Sequence, residues 1–75
     1  MDRWLEHVTN ELGADASVPV DALLDTARVV AHSVERRATP LTAYLIGVAA
    51  QKHPGADVEE LCRRVAQLAE GWGSD

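Results

Sequence analysis

Ten residues of the chain, "RVVAHSVERR" (28–37), hold three arginines and a histidine. Guanidinium groups hold carboxylates and phosphates through paired hydrogen bonds, and an imidazole changes charge near neutral pH. Asp25, Arg28, His32 and Arg36 are spaced three, four and four apart, so one helix face would carry all four. Two uses of that face stay open. It is a solvated surface on which Asp25 pairs with Arg28 and His32, or it is a basic strip with which Arg28, His32, Arg36 and Arg37 grip a partner's carboxylate or phosphate. Charge leans towards the second: Arg28, Arg36 and Arg37 against Glu35 give this segment +2, while the whole chain carries −5 and the remainder therefore −7.

The other reactive side chains are scattered. His7, His32 and His53 lie far apart, and Cys62 is the one cysteine, so no metal-ligand spacing is present and no cofactor is expected. Cys62 falls in an apolar helical stripe, where a small thiol serves packing. There is no Gly-rich phosphate loop, no nucleophile elbow and no pair of catalytic carboxylates, so enzymatic activity is not expected. Trp4 and Trp72 read as core-edge packing or as anchors of an interface.

The elements that must position these residues are helices. The first spans about Asp2–Leu12, with Trp4, Leu5, Val8 and Leu12 on one face and Gly13 as terminator. After the loop "GADASVP", a second runs from near Pro19 to about Arg36 on the stripe Val20, Leu23, Leu24, Ala27, Val30, Ala31 and Val34. Thr39 is expected to cap the third and Pro40 to be its first helical residue. Leu41, Tyr44, Leu45 and Val48 line one side of it, and Ala43, Ile46, Gly47 and Ala50 much of the rest, which predicts the most buried helix. Leu24 and Leu45 thus stand as expected core positions. Pro54 and Gly55 end that helix, and a fourth opens at Asp57, with Glu60 placed to complete a capping box. Its stripe is Val58, Leu61, Cys62, Val65, Leu68 and Ala69, ending near Gly71.

Four helices with short connections predict an all-α fold, a small antiparallel four-helix bundle in a single domain over residues 1–75, with an orthogonal packing as the alternative. In up-down order one pole would gather Trp4, Arg36, Arg37, the Thr39–Pro40 start and Trp72, joining arginine charge to free helix amides. A chain this short buries only ~60% of its unfolded surface. The acidic balance argues against nucleic acid. The longest apolar run, Ala43–Ala50, is far below the ~20 residues that span a bilayer, so no membrane partner is expected. No basic leader precedes an apolar run, and one thiol suits a reducing cytoplasm. Apolar surface on two sides of the third helix points to a homodimer.

The stretch "LLDTARVVAHSVERRATPLTAYLIGVAA" resembles a small family of helical domains from high-GC bacteria, which stand alone or are fused to MobA-type molybdenum-cofactor guanylyltransferases. Asp25, Arg28, His32, Arg36, Pro40, Leu41, Thr42, Tyr44 and Gly47 carry the likeness, which extends more weakly to the first and fourth helices. Arg37 stands where that pattern has proline. The resemblance implies an accessory, protein-interacting role beside a guanylyltransferase. The competing expectation is a small anion-binding domain that holds a phosphate or nucleotide on the basic face.

Overall fold

The computed structural model describes residues 1–14 and 17–72. Asp15 and Ala16, within the expected first loop, and residues 73–75 lie outside the described residues. The chain is all-α: α1 (Asp2–Leu12), α2 (Val20–Ser33), α3 (Ala38–Lys52) and α4 (Val58–Glu70), with no strand among the described residues. None of these helices is long and apolar enough to cross a membrane.

Local chemistry sets most of the boundaries. Gly13 adopts φ 66° and ends α1. Its amide reaches the Asn10 carbonyl at 3.3 Å and the Ala14 amide reaches that of Thr9 at 3.0 Å, the paired bonds of a Schellman motif. At α4 the Asp57 carboxylate accepts the Glu59 amide at 3.0 Å. The expected capping box is not completed, because the Glu60 carboxylate pairs with Arg63 one turn on. That hydrogen bond, with the attraction behind it, raises the Arg63 guanidinium above its ordinary pKa. Asp57→Ala should cost about 1 kcal/mol, since the cap is one of the few partners for the free amides of a helix start. Its thermal unfolding midpoint measures this directly.

The link between α2 and α3 departs from expectation. α2 stops at Ser33, short of Arg36, and Val34 leaves the helix with φ −114° and ψ −84°. Residues 34–37 form a turn in which the Ala38 amide donates to Glu35 and the Thr39 amide to Arg36, both at 3.1 Å. Reversing the chain between two antiparallel helices requires such a turn. The exposed Glu35, Arg36 and Arg37 contribute no burial that would favour extending α2 instead. Arg37, not Thr39, occupies the cap position of α3, and Pro40 falls third in the helix, where its missing N–H sacrifices no intrahelical bond.

Three helices share the core. α2 packs against α3 and α4, and α3 and α4 close the triangle. α2 and α3 are antiparallel. α2 and α4 run parallel: Asp21 and Glu59 flank one groove, Thr26 meets Cys62, and Val34 and Trp72 flank another groove further along. Val30, Ile46, Cys62 and Ala69 are the buried apolar residues, with Thr26 among them. The Thr26 hydroxyl donates to the Cys62 carbonyl at 3.1 Å, away from water. Thr26→Val should lower the unfolding free energy by about 0.5–1.5 kcal/mol, the net worth of one such bond. Urea unfolding gives the measurement.

α1 stands apart. It buries none of its residues fully and makes no close backbone approach to another helix, its Leu5 and Thr9 facing Val18 and Val20 instead. The molecule is accordingly elongated, 43 × 27 × 17 Å. This corrects the reading of α3. With three helices in the packed unit, α3 needs only the arc around Thr42 and Ile46 for contact, so Leu41, Tyr44 and Leu45 are exposed. Leu24 on α2 is exposed too, and neither it nor Leu45 is a core position.

Candidate functional site

Two surfaces present concentrated chemistry. The first is a groove of about 410 Å³ between α2 and α4, with an apolar floor of Ala22, Val29, Cys62 and Ala66 and charged flanks of Asp21, Asp25, Arg28, Glu59 and Arg63. Arg28 Nη2 lies 3.3 Å from Asp25 Oδ1, one helical turn earlier, and both side chains are largely exposed. His32 is exposed further along α2. Arg36 and Arg37 lie beyond the helix, in the exposed 34–37 turn. The four predicted site residues therefore fall into two pairs: Arg28 and His32 on α2, Arg36 and Arg37 at the turn. The single helical face with Arg36 on it does not form.

The expected gathering at one pole is also altered. Two amides of the α3 start, Ala38 and Thr39, are already donated within the turn, and Pro40 has none to offer. Trp72 lies near Val34, the residue that leads into the arginine turn. Trp4 does not join them; it sits on the detached α1, its ring centroid 6.2 Å from that of His7. Because Arg28 and Asp25 pair in water, Arg28→Ala with Arg36→Ala should leave stability within about 1 kcal/mol of the unmodified chain. A larger fall in melting midpoint would make the cluster a structural ion-pair network.

The second surface is an apolar groove. Val30 and Val34 of α2, Thr42 and Leu45 of α3, and Val65, Leu68, Ala69 and Trp72 at the end of α4 line an open cleft of about 440 Å³. Leu45 is 64%, Leu68 73% and Trp72 68% exposed. Helical spacing aligns Val65, Leu68 and Ala69 on α4, and in the turn that follows the helix the Trp72 amide donates to the Ala69 carbonyl at 3.1 Å, which brings Trp72 to the same cleft. Leu41 extends the same exposed side of α3 one turn back. Arginines neighbour the lining residues in sequence: Arg36 and Arg37 follow Val34 in the exposed 34–37 turn, and Arg64 precedes Val65 on α4. The signal in the sequence was a surplus, since α3 has apolar residues on more arcs than two neighbours can cover.

Cys62 is 1% exposed, packed between α2 and α4 on the floor of the first groove. No group of three or more His, Cys, Asp or Glu residues able to hold a metal ion occurs among the described residues. Comparison with curated proteins and with solved structures gives no match. A family comparison matches the full length, residues 1–75, so the chain belongs to the family described as "Domain of unknown function (DUF6457)".

Proposed function

We propose that this chain is a non-catalytic protein-interaction module whose docking surface is the apolar cleft between α2, α3 and α4. One observation carries the reading: Leu45, Leu68 and Trp72, each about two-thirds exposed or more, converge on a single concave surface. Contiguous apolar surface rimmed by charge is the mark of an interaction site, and tryptophan is enriched among the residues that dominate binding energy. A groove between helices suits an amphipathic helix as ligand. Arg36 and Arg37, which follow Val34 in sequence, steer an acidic partner during encounter, contributing more to association rate than to affinity. The single, packed thiol of Cys62 is in keeping with work in a reducing cytoplasm.

The resemblance to domains fused with MobA-type guanylyltransferases supplies the partner to test, in an accessory role in molybdenum-cofactor biosynthesis. Purified guanylyltransferase should bind the immobilised chain, and Leu68→Glu should weaken that binding at least tenfold, because a carboxylate placed in the cleft would have to be desolvated. Arg36→Ala with Arg37→Ala should slow association mainly at low salt. Binding that is indifferent to Leu68→Glu would remove the cleft from the function. Phosphate-dependent thermal stabilisation in the absence of protein partners would favour the anion-binding alternative.

A further inference from the structure

Resting on the cleft as a helix-docking surface, we infer that its occupant in the free protein is α1 of a second copy of this chain, exchanged reciprocally to form a two-fold dimer that a partner protein must displace. The molecule carries both halves of that interface and leaves Trp4 and Leu12 of the one, and Leu45, Leu68 and Trp72 of the other, exposed, while Leu5 and Val8 are half-buried. α1 is amphipathic: Trp4, Val8, Leu12 and Leu5 occupy one continuous arc, with Asp2, Glu6, Asn10, Arg3, His7 and Glu11 around the rest. Trp4 and Leu12 are exposed, and none of the arc is fully buried. The cleft is the complementary surface, a trough walled by three helices and open on its fourth side.

Charge matches as well. Asp2, Glu6 and Glu11 against Arg3 give α1 −2, while Arg36, Arg37 and Arg64 against Glu35 give the sequence neighbours of Val34 and Val65 +2. Position separates the two halves within one chain. Leu5 and Thr9 rest against Val18 and Val20 at the start of α2, whereas the cleft lies around Val30 and Val34 at its far end. A two-fold axis makes each contact twice, so one pair of complementary surfaces closes the assembly without leaving an open end. Area is in reach: Trp4 and Trp72, counted in both copies at ~150–250 Å² each and about two-thirds exposed, bring roughly 400–700 Å². A specific interface needs about 1,200 Å² in total, and Leu12, Leu45 and Leu68 add to the sum.

The test mixes two single-cysteine additions, a Val8→Cys chain and a Leu45→Cys chain carrying tags of different length. The two are refolded together and oxidised. The proposal expects a mixed disulfide dimer on a non-reducing gel, several-fold above either homodimer, with buried Cys62 silent. A Trp4→Cys and Leu68→Cys pair repeats the experiment if either first variant fails to give a helical circular-dichroism spectrum. A chain carrying Val8→Cys and Leu45→Cys together that closes a disulfide within itself, where the mixed single variants form none, overturns the proposal in favour of self-docking. No cross-link from either pair, with the unmodified chain sedimenting as a monomer up to high micromolar concentration, overturns it too. In both of those cases guanylyltransferase binding that still fails with Leu68→Glu would leave the cleft's role as a docking surface standing.

Discussion

Ile46→Ala is expected to remove about 2–5 kcal/mol of stability, the largest loss among the truncations considered. Ile46 is the one buried residue of α3 and the side chain with which that helix meets Thr26 and Val30. The other fully buried side chains among the described residues, Val30, Cys62, Ala69 and Thr26, are smaller, and how far half-buried Leu23 leans into the space decides where in that range the loss falls. At ~0.05–0.15 kcal/mol per residue the whole domain has only about 4–11 kcal/mol. For a domain of this size each kcal/mol moves the melting midpoint by roughly 4–8 °C, so the shift should be at least about 8 °C. Leu45→Ala, one residue earlier on an exposed arc, should cost less than about 1 kcal/mol when measured at dilution. Equal losses at the two positions would mean that α3 is rotated from the arrangement described.

The second large effect is kinetic. The Cys62 thiol is nearly inaccessible, so a thiol reagent reaches it only when α4 separates from α2 or the domain unfolds. With about 4–11 kcal/mol holding it closed, labelling in buffer should be ~10³–10⁸-fold slower than in denaturant. Ile46→Ala should then accelerate labelling by the same free energy it removes, roughly 30- to 4,000-fold, since each 1.4 kcal/mol is a factor of ten. If the variant melts lower yet labels at the unmodified rate, Cys62 is exposed by a local movement of α4 that does not involve α3.

What the sequence made legible follows from how local each cause is. Gly13 ends α1 and Asp57 starts α4 where expected because a left-handed residue and a capping carboxylate act within four residues. Cys62 was placed in the core on its stripe alone, and it is there. The end of α2 was misplaced because Arg36 extends its polar spacing, while the turn that Ala38 and Thr39 close depends on where α3 must go. Leu24 and Leu45 were misassigned for a tertiary reason. Periodicity identifies an apolar arc but cannot say whether a neighbour arrives to cover it, and α1 does not. The apolar cleft was invisible for the same reason: it belongs to three helices at once. Of the basic residues, the pairing of Asp25 with Arg28 was readable from a separation of three, whereas the parting of Arg36 from His32 was not.

The bond from Thr26 to the Cys62 carbonyl has a consequence that its modest energy conceals. The seam between α2 and α4 is built from small side chains, with Ala22 and Val29 on one side and Ala66 and Cys62 on the other. Such a seam is nearly smooth, and α4 could shift along α2 by a fraction of the 5.4 Å turn at little loss of contact. Dispersion forces are too uniform to tell those alignments apart. A hydroxyl aimed at one carbonyl is directional and is lost on slipping, leaving a buried donor without a partner. Thr26 therefore acts as an index mark: it fixes the axial setting of α4 against α2 within the turn, and with it where Trp72 comes to rest.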